Sequence, residues 1–367
     1  MKFILNGGDL LKNWFISMVS DEKYLYWITE INGHFMKMNL QDNSISYMTL
    51  PNVPMTMKAT AALSINQSFI FYTSNNGEEI IRYDRENGST KVFNIACQDK
   101  NLNMSTFSGV INNDLVIVPT YGNSILYMNI YNGKVQLYPL INASNEMKQC
   151  FSLNAYRNND NIKIFSWIDD EWIDFSLEKR KVVNRKKMPK EIGKVVYFER
   201  YDEKFLLINE CNELIMMDGE KYSKLTQFDT EPGKCGIFHV ANDKVWAMPF
   251  WGDKIYLYLL KEGRVQEFVN YPKDYGYFAI EDMAKITNEC TANGKTYFAM
   301  HSGTHIFCVD DKSGQGYFID AKWPEAEQII NEMSYRNFPL TEEMIDVTEY
   351  LNYLCKTKSV KNNNIKR

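Results

Sequence analysis

A weak repeat of about 45 residues recurs seven times along the chain and constrains the fold more than any other feature. Each copy reads as a short apolar strand, two runs of large apolar residues and a final alternating strand, with polar or Gly-containing turns between them. In the first copy, the second to fourth strands are predicted at 24–29, 34–39 and 45–48. Four strands per unit and seven units predict an all-β fold, a seven-bladed β-propeller of four-stranded blades.

The propeller is predicted to occupy 1–322, with blades at about 14–50, 58–96, 106–140, 150–189, 193–228, 234–270 and 285–320. Their first strands align at 15–19, 61–65, 107–111, 152–156, 196–200, 236–240 and 286–290. The fourth strands of blades four and five, predicted at 177–183 and 219–225, are the most degenerate copies. Since each unit carries all four strands in order, the ring closes either without an exchanged strand or with help from 1–13.

Tight turns are predicted before several of the fourth strands. The dipeptides Asn87-Gly88, Asn132-Gly133, Glu262-Gly263 and Ser313-Gly314 are hairpin signals, because such turns need residues that tolerate a positive φ. The second strands, such as 24–28 and 244–248, are apolar on both faces, as a sheet packed between two neighbours requires.

After the seventh blade the pattern becomes helical, over 323–356. Pro324 suits the first turn of a helix, and Thr341 is a good N-cap. An apolar stripe follows at helical spacing, formed by Met344, Val347, Leu351 and Leu354. The stripe either packs against the propeller or docks a partner protein or a second copy of the chain. Residues 357–367 are polar and predicted to form a disordered tail.

Charge and composition exclude several classes of partner. The formal net charge is −5 and the pI is about 5.6, whereas nucleic-acid-binding surfaces carry a basic excess. No apolar run reaches the roughly 18 residues of a membrane helix, and the N-terminus does not read as a signal peptide. The seven cysteines show no CxxC spacing. We therefore expect a reduced, cytoplasmic protein with neither nucleic-acid nor membrane partners.

Histidines mark the turns of two blades that become neighbours when the ring closes. When the turns between the second and third strands of blades one and seven are aligned in sequence, Glu30 corresponds to His301 and His34 to His305. In a tight hairpin, His301 and His305 would lie with Cβ atoms about 5 Å apart. Such a pair suits acid–base catalysis or a divalent metal, with Glu30 or Glu210 as the carboxylate partner. Alternatively, these histidines are polar turn residues and no cofactor is bound.

Aromatic and acidic residues occupy other turns on the same predicted face. Rings stack on the C–H face of a sugar while carboxylates take its hydroxyls, although turns also favour Asp and Asn for backbone reasons alone. The long connection over 270–285 adds Tyr275 and Tyr277 to the candidates and is itself a candidate wall or lid. The predicted ligand-binding residues are Tyr121, Trp167, Asp169, Glu210, Trp251, Asp253, Tyr275 and Tyr277.

One stretch resembles a known family. Residues 25–38, LYWITEINGHFMKM, are similar to the Leu-Trp-Phe-Thr-Glu…Asn…Ile-Gly-Arg-Ile repeat of virginiamycin B lyase-like seven-bladed bacterial propellers. The close match covers blade one, and the looser repeat covers about 14–320. The resemblance implies the propeller fold. The lyases of this group use a metal, together with His and Glu residues on the loop face, to open an ester by elimination. None of the candidate residues aligns with the family's catalytic motif, and many relatives are non-enzymatic sensors or scaffolds.

Three functions follow from these observations. The first is a non-catalytic binding propeller that recognises a small molecule, glycan, peptide or protein partner on the loop face around the central channel. The second is a metal-assisted lyase or hydrolase acting on a polysaccharide or cyclic ester, with His301, His305, His34 and Glu30 as catalytic residues and His301 and His305 as metal ligands. The third is an assembly or scaffold protein that docks a neighbour through its C-terminal helices.

Overall fold

The computed structural model describes residues 17–28, 35–48, 59–74, 78–95, 105–142, 149–230, 235–249, 254–272, 286–300 and 305–322. Within these ranges, seven separate sheets each contain four antiparallel strands. The sequence-based prediction of an all-β, seven-bladed propeller is therefore confirmed. The predicted helical extension over 323–356, the tail and the segment 1–13 lie outside the described residues. No helix among the described residues has the length and apolarity that a membrane span requires.

The first four blades follow the chain in order. Blade one contains β1 (Met18–Ser20), β2 (Tyr24–Ile28), β3 (Phe35–Asn39) and β4 (Ile45–Met48). Blade two contains β5 (Ala59–Ile65), β6 (Phe69–Ser74), β7 (Glu79–Asp84) and β8 (Thr90–Asn94). Blade three contains β9 (Ser105–Ile111), β10 (Asp114–Pro119), β11 (Ser124–Asn129) and β12 (Val135–Pro139). Blade four contains β13 (Tyr156–Asn158), β14 (Asn161–Ser166), β15 (Glu171–Ser176) and β16 (Lys181–Lys187).

A short 3₁₀ helix, Lys190–Ile192, connects blade four to blade five. Blade five contains β17 (Val195–Tyr201), β18 (Lys204–Asn209), β19 (Glu213–Asp218) and β20 (Lys221–Gln227). Blade six contains β21 (Cys235–Ala241), β22 (Lys244–Pro249), β23 (Tyr256–Leu259) and β24 (Arg264–Glu267). Blade seven contains β25 (Ile286–Ala292), β26 (Lys295–Met300), β27 (Ile306–Asp310) and β28 (Gln315–Phe318).

The first strand of each blade faces the centre of the ring. Neighbouring first strands contact one another around the ring, and β1 contacts both β5 and β25. Because the strands alternate in direction, the turns between second and third strands share one face with the connections between blades. We call this the loop face, and the opposite face, with the first-to-second and third-to-fourth turns, the hairpin face.

Among the described residues, the ring closes between blades seven and one without an exchanged strand, since each of these sheets is one contiguous stretch of chain. The chain beyond β28 then adds a short parallel bridge to blade one, between Ser44 and Lys322. The Ile45 amide donates to the Lys322 carbonyl and the Lys322 amide to the Asn43 carbonyl, each at 2.9 Å. Backbone hydrogen bonds thus join the outer parts of the two blades.

The four predicted hairpin dipeptides have the expected backbone. Their glycines all lie in the left-handed region that L side chains rarely adopt: Gly88 (φ 71°), Gly133 (φ 77°), Gly263 (φ 64°) and Gly314 (φ 64°). The second strands are buried on both faces, and the outer strands β12, β16 and β24 are largely exposed. The burial of the second strands on both faces was predicted from the sequence.

Blade four departs from the prediction at its inner strand. The predicted strand 152–156 overlaps β13 only at Tyr156, although Phe151 still forms a bridge to Ser166. Between Phe151 and Tyr156 the backbone bonds to blade five instead of its own sheet, since the Leu153 amide donates to the Val196 carbonyl at 2.7 Å. The degenerate segments 177–183 and 219–225 overlap β16 and β20, which begin at Lys181 and Lys221. Arg180 (φ 50°) and Gly219 (φ 60°) lie in the turns that precede them.

Candidate functional site

A cavity of about 400 Å³ lies at the centre of the ring. Each blade contributes to its wall from its first strand or the residues just before it. The lining extends from Ser105, at the loop-face end of β9, to Ile65, at the hairpin-face end of β5. One lining residue from each blade, in order, is Val19, Ser64, Thr106, Asn154, Tyr197, Ile237 and Glu289.

Polar groups on the inner strands hold neighbouring blades together around this cavity. Side-chain hydroxyls, amides and one carboxylate bond the backbone of the adjacent blade, which satisfies inner-strand groups that have no fifth strand to pair with. These bonds are Ser17 Oγ to Ala62 O, Ser108 Oγ to Leu63 O, Thr106 Oγ1 to Ser152 O, Asn154 Nδ2 to Phe198 O, Val240 N to Glu199 Oε2 and Met18 N to Asn288 Oδ1.

Glu289 is the one carboxylate among the described residues that line the cavity. Its Oε1 accepts a hydrogen bond from the hydroxyl of Tyr197, across from blade five. Its Oε2 is buried and has no hydrogen-bond partner within the described part of the chain. Burial raises the pKa of Glu289 to about 7, further raised by Glu199 and opposed by the positive charge of His239. The same environment raises the pKa of Tyr197 well above its usual value, chiefly through burial.

His239 lies next to this pair, on β21 near the hairpin face. Its Nδ1 is 3.1 Å from Glu199 Oε1 on blade five, and its Nε2 is 2.9 Å from Asp311 Oδ1 on blade seven. Burial alone would lower the pKa of His239, but the hydrogen bonds to Asp311 and Glu199 outweigh it and raise the pKa to about 10. His239 is therefore a cation at neutral pH and links three blades.

Three predicted ligand-binding residues meet at the loop face of blades four and five. The indole N–H of Trp167 donates to the Val195 carbonyl at 2.6 Å, and the Lys194 ammonium lies 5.6 Å from its ring centroid. Glu210 accepts from the Lys194 amide through Oε1 at 3.2 Å. Asp169, in the same turn as Trp167, accepts from Lys187 through its carbonyl. Trp167 and Glu210 are thus brought together around Lys194, and the polar atom of Trp167 bonds the backbone.

His305 and Tyr121 lie elsewhere on the ring. The His305 ring packs edge-on against Phe318 with 5.9 Å between centroids, at an aromatic cluster shared by blades six and seven. Tyr121 occupies the turn between β10 and β11, where partial burial raises its pKa. Neither contacts the corner formed by Trp167, Asp169 and Glu210 in the described structure.

The other predicted site residues, Glu30, His34, Trp251, Asp253, Tyr275, Tyr277 and His301, lie outside the described residues. Because the predicted metal ligand His301 is among them, a metal ion bound by His301 and His305 stays a prediction. Within the described ranges, no group of three His, Cys, Asp or Glu is arranged to hold a metal ion.

The cluster of His239, Glu289, Tyr197, Glu199 and Asp311 was not predicted from the sequence. A signal was present, since Glu199 and Glu289 fall within predicted first strands. Ionisable residues in strands that line a narrow channel are costly unless paired, so they mark positions with a specific role.

The comparisons with known proteins concern the fold. No family model matches the chain, and no curated protein matches its sequence. Among solved structures, the chain is similar to a catalytically inactive virginiamycin B lyase from Staphylococcus aureus with quinupristin (15% identity, TM-score 0.58, 83% of this chain and 95% of that chain). BamB from Moraxella catarrhalis is also similar (10%, TM-score 0.50, 78% and 82%).

A third similar structure is PorZ, a surface component of the type-IX secretion system of Porphyromonas gingivalis (10%, TM-score 0.52, 86% of this chain and 38% of that chain). The resemblance to virginiamycin B lyase-like propellers is therefore confirmed at the level of the fold. A lyase and a surface component of a secretion system share this architecture, so the fold alone does not select a function.

Proposed function

We propose that this protein is a binding propeller that holds a small polar molecule in its central cavity. The observation that carries the proposal is the cavity itself, about 400 Å³ and walled by all seven blades. Its volume falls within the range of roughly 300–1,000 Å³ typical of small-molecule sites. Hydroxyl, amide and carboxyl groups share the lining with apolar side chains, and such polar groups fix the orientation of a bound ligand.

Binding without catalysis is favoured by the state of the ionisable groups around the cavity. His239 is protonated at neutral pH because the carboxylates of Glu199 and Asp311 stabilise its positive charge. A protonated imidazole cannot accept a proton, so His239 is a poor general base. Cys290 lines the cavity, but burial raises the pKa of its thiol to about 12, which keeps it protonated and unreactive. These groups suit electrostatic recognition better than proton transfer or nucleophilic attack.

A glycan or peptide larger than the cavity would extend over the loop face. There Trp167 presents a partly exposed ring, and Glu210 an exposed carboxylate, within one corner. The alternative of a metal-assisted lyase or hydrolase depends on His301, His34 and Glu30, and that of an assembly protein on the segment 323–356. Both remain hypotheses about residues beyond the described ranges.

The proposed function is tested by filling the cavity. Ala155 lines the wall in blade four, so Ala155→Phe should block the site, while Ala155→Ser keeps it open as the matched control. Thermal unfolding is measured with a library of polar metabolites, because a ligand that binds only the folded state raises its stability. We expect shared hits for the wild type and Ala155→Ser that disappear in Ala155→Phe. Hits that persist in Ala155→Phe, or no hits for the wild type, contradict the proposal.

A further inference from the structure

We propose that the ligand of the central cavity is an aliphatic cation, whose ammonium or guanidinium group pairs with the carboxylate of Glu289. This inference rests on the proposed function and names the class of ligand. It is carried by the geometry of one carboxyl group, the charge of that group and its neighbours, and the aliphatic side chains elsewhere in the lining.

The carboxyl group of Glu289 has one oxygen that is hydrogen-bonded and one that is not. Oε1 accepts from Tyr197, whereas Oε2 is buried and lacks a donor among the described residues. Buried polar atoms in folded proteins are almost always hydrogen-bonded, and the exceptions call for a water, an ion or a ligand. A charged N–H donor forms the strongest hydrogen bond with such an oxygen.

The charge around Glu289 favours a cationic ligand. Glu289 lines the cavity, while Glu199, His239 and Asp311 are its charged neighbours outside the described lining. With Glu289 ionised, three carboxylates (Glu199, Glu289 and Asp311) and one imidazolium (His239) sum to −2. With Glu289 protonated, the sum is −1. No Lys or Arg occurs among the described lining residues. A ligand carboxylate or phosphate would meet like charge in either state, whereas an ammonium is attracted in both.

The rest of the lining defines what is attached to the cation. Aliphatic side chains from four blades, Met18, Leu63, Leu153 and Ile237, line the same cavity as Glu289. They suit a methylene chain, and the hydroxyls of Ser64 and Ser105 offer polar contacts for a second group. A short diamine or a guanidino-amine has this combination of a charged end, an apolar stem and a second polar end.

The test compares charged probes with a neutral analogue by isothermal titration calorimetry. Putrescine and agmatine are the cations, and 1,4-butanediol has the same stem without charge. We expect both cations to bind the wild type and to bind Glu289→Gln at least tenfold more weakly, about 1.4 kcal/mol. Glu220→Gln removes an exposed carboxylate paired with Lys186 and should leave their affinity unchanged.

A second readout does not depend on any variant. The groups that face Glu289 are Tyr197 and Glu199 on β17, His239 on β21, Asp311 after β27 and the adjacent Cys290. Since the pKa of Glu289 is about 7, a cation that binds its ionised form should release about half a proton at pH 7. Titrations in two buffers of different ionisation enthalpy measure this number.

The outcomes separate the two proposals. Binding of 1,4-butanediol as tight as that of putrescine, in both the wild type and Glu289→Gln, would show a site for neutral molecules and overturn the cationic ligand alone. So would an absence of binding by both cations. If putrescine binds Ala155→Phe as well as the wild type, the cavity is not the site and the proposed function fails too.

Discussion

Folding raises the pKa of two neighbouring residues, Glu289 and His239, for opposite reasons. Burial keeps a proton on Glu289, while carboxylate partners keep one on His239. When a pKa is raised by folding, the stabilisation is complete below the unfolded pKa and is lost as pH rises through the folded pKa. Stability should therefore fall in two windows, from about pH 4.5 to 7 for Glu289 and from about pH 6.5 to 10 for His239.

Glu289→Gln should remove the first of these windows. The glutamine keeps an oxygen that accepts from Tyr197 but carries no charge to bury. We expect its free energy of unfolding to exceed that of the wild type by about 1–3 kcal/mol at pH 8, with no such gain at pH 4. Urea unfolding at both pH values measures the difference. A variant less stable than the wild type at pH 8 would contradict this assignment.

His239→Gln should destabilise the protein, because it leaves Glu199 and Asp311 close together without their cation. We expect the free energy of unfolding to fall by an amount on the order of 3 kcal/mol at pH 6, and this loss should shrink as pH approaches 10. Chemical unfolding across this range measures it. In the double variant Glu199→Gln/His239→Gln, the loss should be smaller than the sum of the two single losses, since the residues form one network.

Trp167 illustrates why site residues are harder to predict than strands. Its position in a turn on the loop face was predicted correctly, and a large ring in such a turn indicated a sugar platform. The structure shows that its N–H holds the backbone of the next blade at Val195. Such a contact joins residues that are distant in sequence, and no local pattern reports it.

At the level of strands and blades, local chemistry decided most of the fold. Alternation of apolar residues and the Gly-containing turns predicted strand order and turn positions from short stretches of sequence. The exception is the inner strand of blade four, where Leu153 bonds Val196. There the partner of the backbone lies in another blade, so the repeat period could not locate the strand.

Thr106→Val tests how much the side-chain bonds between blades contribute. Its hydroxyl is buried and donates to the Ser152 carbonyl at 2.7 Å. Replacement by the isosteric Val removes the hydrogen-bond donor to that carbonyl. We expect the free energy of unfolding to fall by about 1–2 kcal/mol. Thr226→Val on the outer strand β20 is the matched control, with an expected change within about 0.5 kcal/mol. Equal losses measured by urea unfolding would argue against a role at the interface.

Gly316→Ala tests the packing between blades six and seven. A Cβ at this position on β28 would lie 2.6 Å from Phe307 and 2.8 Å from Trp246, both parts of large buried rings. We expect destabilisation of about 1–3 kcal/mol from overpacking. Gly109→Ala, whose Cβ would lie 3.2 Å from the Phe107 ring, should cost less. Differential scanning calorimetry of both variants gives the comparison.

At the scale of the whole ring, the junction between blades one and seven differs from the others, because no covalent connection between consecutive blades spans it. Ser20 Oγ donates to Thr291 O and Asn293 Nδ2 to Glu22 O across this junction. The double variant Ser20→Ala/Asn293→Ala should increase amide exchange in blades one and seven by about tenfold, equivalent to 1.4 kcal/mol. Mass spectrometry locates the change.

Ser108→Ala, which removes a bond between blades two and three, is the control for that experiment. There the covalent connection keeps the blades together, so we expect a smaller increase in exchange. A uniform increase around the ring in the double variant would show that closure is not a distinct point of weakness.

The contiguity of each sheet also bears on the order in which the chain folds. All pairings within a blade are hairpins between residues close in sequence, so blades can form one after another as the chain emerges from the ribosome. The contact from Met18 to Asn288 joins residues 270 positions apart and cannot form until the seventh blade exists. Until then both end blades expose apolar sheet faces, and the incomplete ring is the species we expect chaperones to recognise and aggregation to capture.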